Sequence, residues 1–162
     1  RYTVEEYLAF EAKSEHKHEY YDGEIFAMAG TSLDHVAVVS NLLRILGNKF
    51  LDKPCRAFGT DLRVKTKRDL YTYPDVVIVC EKPQLEGKDP QTLLNPQVLI
   101  EVLSASTEHY DRTTKFKHYK TIASLREYVL VSQDEARVEV FTQNADGTWP
   151  AEPVISSGLT AN

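Results

Sequence analysis

The chain has 162 residues, the length of roughly one domain, and its 19 basic and 24 acidic side chains give a net charge of −5. This balance excludes a protein that coats nucleic acid through its overall charge, although it leaves a local basic surface open. No apolar run is long enough to cross a bilayer, and the two cysteines make neither a disulfide framework nor a zinc cluster. We therefore expect a cytoplasmic protein with no membrane association.

The basic residues are concentrated in two segments. Residues 49–68 hold seven basic side chains against two acidic ones, and residues 111–120 hold four against one. Each segment is either an ordinary solvated face or, where the two lie together in the fold, a surface that faces phosphate groups.

The first third of the chain predicts two helices separated by a hairpin. Thr3 begins a capping box for a first helix. Asp22-Gly23 is a strong tight-turn signal, and it predicts a hairpin over residues 19–28. From 32 to 50, apolar residues recur at spacings of three and four, the pattern of an amphipathic helix.

The middle of the chain predicts strands. Alternating patterns indicate strands at 56–66 and 71–80, and the apolar run 76–79 indicates a strand that is covered on both faces. A long connection over 81–95 leads to another strand at 97–103.

The last third predicts a helix over 111–122 and strands at 127–132 and 137–142. We expect residues 143–162 to form a loosely attached tail. The alternation of strands and helices predicts a single α/β domain over residues 1–162, with one mixed central sheet flanked by helices.

Two carboxylates interrupt strands that are otherwise apolar. Asp75 follows a proline at the start of the apolar run 76–79, and Glu101 lies inside the strand 97–103. Ionised carboxylates are rarely buried without a partner. Each one therefore pairs with a buried Arg or Lys, or, if the strands are neighbours, the two share a divalent cation such as Mg²⁺ or Mn²⁺.

Lys115 has two interpretations. It lies one helical turn after Asp111, which is the spacing of a surface ion pair. Alternatively its ammonium group points back toward the end of the Glu101 strand, where it could orient an attacking water and offset charge on a phosphate.

Other chemically active side chains carry weaker signals. His16 and His18 lie in a charged stretch with no further metal ligand nearby, and His35 is expected to be a cap or a surface group. Cys80 ends an apolar strand and is expected to be an inert core residue, since nothing pairs it with a histidine. The sequence contains no phosphate-cradling glycine loop and no G-x-S-x-G motif.

Taken together, these motifs resemble the Uma-type restriction endonuclease family of the PD-(D/E)xK nuclease superfamily. The resemblance covers roughly residues 3–141. The stretches that carry it are 73–79, 99–107 and 111–115 with Tyr119, together with 19–24, His35, 61–64 and 127–128.

The resemblance implies a restriction-endonuclease-like core in which Asp75 and Glu101 bind a divalent metal and Lys115 is the catalytic lysine. It also implies Glu19 as a further acid of the site, and it matches Asp61 without giving that residue a role. Leu103 stands where the superfamily motif has its lysine. In the resembled family the lysine comes from the following helix.

We therefore expect an Mg²⁺-dependent endonuclease that hydrolyses DNA. A double-strand cutter needs two active sites, so a homodimer is expected as well. Leu103 motivates an alternative, a nuclease-fold module that binds DNA or assembles without turnover, and a phosphohydrolase of small molecules is a third hypothesis. The side chains expected to contact the DNA backbone are Arg63, Lys65, Arg112 and Lys117.

Overall fold

The computed structural model describes residues 1–86 and 91–157. In the N-terminal part the elements are α1 (Val4–Glu11), β1 (His18–Tyr21), β2 (Glu24–Ala27), α2 (Leu33–Lys49), β3 (Arg56–Phe58), β4 (Arg63–Lys65), β5 (Tyr71–Thr72), β6 (Val76–Val79) and β7 (Leu85–Glu86). They are followed by β8 (Thr92–Leu93), β9 (Val98–Leu103), α3 (Glu108–Tyr110), a π-helical turn (Asp111–Lys115), α4 (Phe116–Tyr119), β10 (Glu127–Ser132), β11 (Arg137–Thr142) and β12 (Val154–Ser157).

The strands form two mixed sheets rather than the single sheet that we expected. The first sheet has the order β2-β1-β5-β4-β8-β7, and the second has the order β12-β11-β10-β9-β6-β3. The predicted strand 56–66 divides into β3, which belongs to the second sheet, and β4, which belongs to the first. The predicted strand 71–80 divides into β5 of the first sheet and β6 of the second. In 71–80 the break falls at Pro74, which has no N–H to donate to a sheet.

The centre of the second sheet is buried on both faces, as the apolar run 76–79 predicts. Strand β6 pairs antiparallel with both β3 and β9, and β9 pairs parallel with β10. Val76 and Ile78 belong to the core on the α2 side, whereas Val77 and Val79 face the core around Phe116 of α4. The sheet therefore lies between two layers of packing, which confirms the predicted mixed α/β class.

Local sequence signals place the N-terminal elements as predicted. Thr3 and Glu6 form a complete capping box, and Asp22-Gly23 supplies two positive-φ residues at the turn of the β1–β2 hairpin. Helix α2 begins after Ser32, whose hydroxyl accepts a hydrogen bond from the backbone N–H of His35 at 3.2 Å. This cap fixes the first turn of α2, the turn that carries the His35 ring.

The C-terminal segment differs from the loosely attached tail that we expected. Strand β12 pairs with β11 along four residues. Trp149 packs edge-on against Phe116, with ring centroids 5.6 Å apart. The segment supplies hydrogen-bond partners for an edge of β11 that would otherwise be exposed. Residues 158–162 lie outside the described part of the chain, as do residues 87–90 of the predicted connection.

Cys55 and Cys80 form a disulfide, which corrects our expectations that the two cysteines make no disulfide framework and that Cys80 is an inert core residue. Arg56 pairs with Val79 in the antiparallel β3–β6 ladder, so the two cysteines occupy the next facing positions. The spacing of 25 residues does not reveal this pairing, because it depends on strand register. The expected cytoplasmic location stays a prediction.

Removing the disulfide is expected to destabilise the fold. The bond closes a loop of 25 residues, and a loop of this size corresponds to about 3 kcal/mol of stability. Chemical unfolding of Cys55→Ala/Cys80→Ala should show this loss, and intact-mass measurement of the wild type should find two hydrogens fewer than for the reduced chain. A wild-type chain with two free thiols would contradict the prediction.

Glu139 connects β11 to the π-helical turn. Its two carboxylate oxygens accept hydrogen bonds from Arg112 at 2.7 and 2.8 Å, and Arg137 donates another at 2.8 Å. The bonds from Arg112, followed by that from Arg137, lower the pKa of Glu139 to about 2. These hydrogen bonds to the ionised Glu139 therefore stabilise the fold at pH values above the ordinary glutamate pKa of 4.5. Their contribution is lost as the pH falls toward 2.

Glu139→Gln is expected to lower the free energy of unfolding at pH 7 by about 2 kcal/mol, because it removes charge-assisted hydrogen bonds. The difference from the wild type should narrow as pH falls below the ordinary glutamate pKa. Urea unfolding across this pH range measures the effect, with the exposed Glu135→Gln as the control. If Glu139→Gln stays less stable than the wild type by the same amount down to the lowest pH, the ionised carboxylate is not the source of the stability.

Among the described residues, no helix combines the length and the hydropathy that a membrane span requires.

Candidate active site

Asp75 and Glu101 lie side by side on neighbouring strands. Val76 is paired with Ile100, so the residue before β6 is adjacent to Glu101 of β9. The backbone N–H of Asp75 faces Glu101 Oε2 at 3.4 Å, and the N–H of Val102 donates to Asp75 Oδ2 at 2.7 Å. The antiparallel register thus brings together two carboxylates that are 26 residues apart in the sequence.

Lys115 contacts both of the carboxylates that its two interpretations named, Asp111 and Glu101. Its Nζ lies 3.0 Å from Glu101 Oε1 and 3.5 Å from Asp111 Oδ1, and the residue is only 6% exposed. The ion pair with Asp111 is therefore buried and not on the surface. The π-helical turn holds Asp111 and Lys115 at its two ends, with both side chains directed into the protein.

Glu19 joins this cluster from the other sheet. It lies on β1, and its Oε1 is 3.5 Å from Lys115 Nζ. The hydroxyl of Thr72 donates to the same oxygen, and the hydroxyl of Tyr110 donates to Oε2 at 3.3 Å. Glu19 therefore lies beside Lys115, and its role as a further acid of the site stays a prediction.

Asp61 has a different position. Its side chain is 97% exposed and pairs with Lys17 at 2.9 Å. The structure does not bring it into contact with the carboxylates around Lys115 in the part of the chain that it describes.

The cluster combines several buried carboxylates with one ammonium group. Burial raises the pKa of Glu101 to about 8; Lys115 opposes this shift, and the charges of Asp111 and Asp75 add to it. Burial also raises the pKa of Asp111. For Lys115, burial acts against the charge, but the surrounding carboxylates, Glu101 foremost, bring its pKa well above the usual value. One ammonium group does not neutralise so many carboxylates, and the site has a surplus of acidic groups.

The two oxygens of Glu101 have different environments. Oε1 accepts from the hydroxyl of Tyr119 at 2.7 Å and faces Lys115. Among the residues that the structure describes, Oε2 receives only the long contact from Asp75 N–H. Oε2 is therefore the oxygen with free capacity to bind a cation, on the side of the residue that faces Asp75.

This donor set suits a hard divalent cation. Mg²⁺ prefers carboxylate oxygens and keeps several water ligands, so two adjacent carboxylates with surplus negative charge are sufficient protein ligands. Within residues 1–86 and 91–157, no group of three or more His, Cys, Asp or Glu side chains is arranged to hold a metal ion. Asp75 and Glu101 are therefore the candidate protein ligands of the cation, and water would complete its coordination.

His35 belongs to the site, against our expectation of a cap or surface group. Its Nε2 lies 3.0 Å from Asp75 Oδ1, and its side chain is only 14% exposed. A signal for this was present in the sequence, since His35 precedes Val39 and Leu42 at the same helical spacing and so shares their inward-facing stripe.

The four side chains predicted to contact DNA have different environments. Arg63 is only 1% exposed, donates to Thr92 and stacks over Tyr7, so the prediction for this residue is wrong. The charge pattern does not reveal that Arg63 packs against the rings of Tyr7 and Tyr71.

The other three are nearer to the surface. Lys65 pairs with Glu86 at 2.8 Å, and the guanidinium of Arg112 is held by Glu108 and Glu139. Lys117, by contrast, is exposed. Of the predicted contacts, Lys117 is therefore the side chain best placed to meet a phosphate.

Comparison with known proteins identifies the family. Residues 4–161 match the family described as Uma2, putative restriction endonuclease. The chain belongs to the Uma2 family. This confirms the resemblance drawn from the motifs around Asp75, Glu101 and Lys115.

Two relatives of the chain are proteins of Synechocystis sp.. The chain is 37% identical over 148 residues to the uncharacterized protein slr1290 of Synechocystis sp.. The match covers 91% of this chain and 77% of that protein. The chain is 35% identical to the uncharacterized protein sll1609 of the same organism, over 91% of this chain and 84% of that one.

A solved structure shares the Uma2 fold. The crystal structure of a protein described as a putative nuclease belonging to DUF820, from Anabaena variabilis, superposes with a TM-score of 0.76 and 21% identity. The match covers 99% of this chain and 87% of that one. At this level of identity the likeness concerns the fold.

Proposed function

We propose that this Uma2 chain is a divalent-metal-dependent endonuclease that hydrolyses phosphodiester bonds in DNA. The observation that carries the proposal is the convergence of Asp75, Glu101 and Lys115, with the ammonium group 3.0 Å from Glu101. Paired carboxylates beside a buried lysine provide both cation ligands and a positive group for a phosphate. Membership of a restriction endonuclease family supports the same reaction class.

Asp75 and Glu101 would hold Mg²⁺ or Mn²⁺. When bound, the ion supplies Lewis-acid polarisation of a phosphoryl oxygen and lowers the pKa of a water molecule.

Other groups of the protein would act on the water, on the phosphate and on the two carboxylates. Lys115 orients the attacking water and balances charge that develops on the phosphoryl oxygens. Tyr119 holds Glu101 through Oε1, and the backbone N–H of Val102 holds Asp75 through Oδ2. The carboxylates thus keep a fixed orientation during the reaction.

The DNA backbone would approach beside Tyr21, where the two basic segments of the sequence meet. The ring of Tyr21 packs edge-on against His118, with centroids 4.5 Å apart. Tyr21 and Arg68 line one cavity of about 360 Å³. Burial lowers the pKa of His118, and the charges of Arg68 and Lys117 lower it further, which is consistent with a shared basic surface near the Lys115 turn.

Charge reversal on this surface is expected to weaken DNA binding. Arg68→Glu and Lys117→Glu should each raise the dissociation constant for a short duplex and reduce the salt slope by about 1, because each removes one phosphate contact. Fluorescence anisotropy at several salt concentrations measures both quantities. Arg44→Glu, the same charge change at an exposed position of α2, serves as the control. Equal weakening by all three variants would contradict a localised DNA surface.

The activity itself is tested with supercoiled plasmid. Purified protein with Mg²⁺ or Mn²⁺ should convert the plasmid to nicked or linear forms, and a chelator should stop the reaction. Absence of metal-dependent cleavage on every DNA tested would overturn the proposal, and a parallel incubation with RNA defines the substrate class.

Leu103 favours a second candidate function, a nuclease-fold module without catalytic turnover. This residue is buried in the core at the position where the superfamily motif has its lysine. A nuclease fold that binds DNA or assembles without turnover would show metal or DNA binding in calorimetric titration but no cleavage. The expected homodimer likewise stays a prediction.

A further inference from the structure

His35 is a half-buried ring that contacts the proposed metal site. It lies in the first turn of α2, where the hydroxyl of Ser32 holds its backbone N–H. From there Nε2 reaches Asp75 Oδ1 at 3.0 Å. Helix α2 thereby contacts the site through the side chain of His35, whose backbone is held by the cap.

The two ring nitrogens of His35 have unequal surroundings. Nε2 faces a carboxylate oxygen and so donates its proton to Asp75. Nδ1 is buried and has no hydrogen-bond partner among the described residues. An ionised carboxylate can only accept, so Nε2 is the ring nitrogen that donates to Asp75.

Asp75 is consequently held at both oxygens. His35 donates to Oδ1 and the backbone N–H of Val102 donates to Oδ2. Each carboxylate oxygen has two lone pairs, so one donor on each oxygen fixes the plane of the group and leaves the other lone pair free for a cation.

We propose that His35 is a positioning residue of the metal site, which orients the Asp75 carboxylate so that it binds the divalent cation. The inference rests on the proposed function, since it requires that Asp75 bind a metal. Side chains that orient a ligating group in this way typically change metal affinity 10–100-fold when they are removed.

Calorimetric titration with Mn²⁺ tests the proposal without relying on activity. His35→Ala is expected to weaken binding about 10–100-fold. His35→Gln should restore most of the affinity, because its side-chain amide N–H can donate to Asp75. The matched control is His16→Ala, which removes an exposed histidine from the segment before β1 and should leave the affinity unchanged.

The outcomes separate this inference from the proposed function. If the wild type binds no Mn²⁺, or binds it as well as Asp75→Asn does, the metal site itself is refuted. If binding depends on Asp75 but His35→Ala has wild-type affinity, only the role of His35 is refuted. Failure of His35→Gln to rescue the affinity would indicate direct ligation by the ring and would also refute a positioning role.

Nitrogen NMR of the wild-type imidazole provides a second measurement in case His35→Ala does not fold. We expect Nε2 to carry the proton before Mg²⁺ is added and to keep it at saturation. Absence of the proton from Nε2 in the metal-free protein, or its loss on saturation, would overturn the inference.

Discussion

Asp75→Asn is expected to reduce Mg²⁺-dependent plasmid cleavage by about a thousandfold, which corresponds to roughly 4 kcal/mol of transition-state stabilisation. Asparagine keeps the shape of the side chain, and its carbonyl oxygen can still accept the hydrogen bond from Val102. The change therefore removes the negative charge that binds the cation while it disturbs the β6–β9 ladder little. Initial rates of nicking at saturating Mg²⁺ measure the effect.

The matched control for this variant is Asp61→Asn. Asp61 also lies in a stretch that resembles the family, but it is exposed and pairs with Lys17. Its replacement should leave the rate of nicking unchanged. Cleavage by Asp75→Asn at the wild-type rate, with a folded protein, would exclude Asp75 from the metal site.

Lys115→Met is expected to lower the free energy of unfolding by about 3–5 kcal/mol in addition to abolishing cleavage. Methionine matches the apolar stem of lysine but leaves Glu19, Glu101 and Asp111 without their shared cation. Like charges in a buried cluster repel each other, and each one has lost solvation by water. Urea unfolding followed by circular dichroism measures the loss of stability.

Lys117→Met is the control, because it removes the same charge two residues further along, at an exposed position. It should change stability by less than about 0.5 kcal/mol. The double variant Lys115→Met/Glu101→Gln should be more stable than Lys115→Met alone, since one of the unpaired charges is gone. A Lys115→Met protein with wild-type stability would show that the ammonium does not hold the carboxylates together.

Local signals in the sequence predicted much of the fold correctly. The capping box at Thr3, the turn at Asp22-Gly23 and the apolar stripe of α2 depend on neighbours within a few residues, and strands β10 and β11 have the predicted bounds. Such patterns are set by backbone geometry and by solvent exposure on one face.

The parts that sequence reasoning missed depend on strand register over long distances. The alternation within 56–66 and 71–80 continues across the breaks, so it does not show that each strand divides between two sheets. The Cys55–Cys80 bond and the pairing of β12 with β11 likewise require knowledge of which strands are neighbours. Charge patterns alone assigned Arg63 to the surface, although aromatic rings surround it.

The candidate site shows the same division. Asp75 and Glu101 stood out because charges are rare in buried strands. Lys115 stood out because it follows the Glu101 strand, and the family resemblance added Glu19. His35 was underestimated, because its partner lies 40 residues away on another element. A histidine on the inward stripe of an amphipathic helix is the signal that would have found it.

The division of the chain between two sheets has a consequence for folding. Glu19 comes from the first sheet, Glu101 from the second, and Lys115 from the turn that follows β9, so the cluster joins contacts almost 100 residues apart. Contacts this distant in sequence form late, because closing a long loop costs entropy before any contact is gained. A nascent chain from which Lys115 has not yet emerged from the ribosome therefore lacks the complete cluster of Glu19, Glu101 and Lys115. The Lys115 cluster is complete only when both sheets have docked, so under the proposed function a partly folded chain would not cleave DNA.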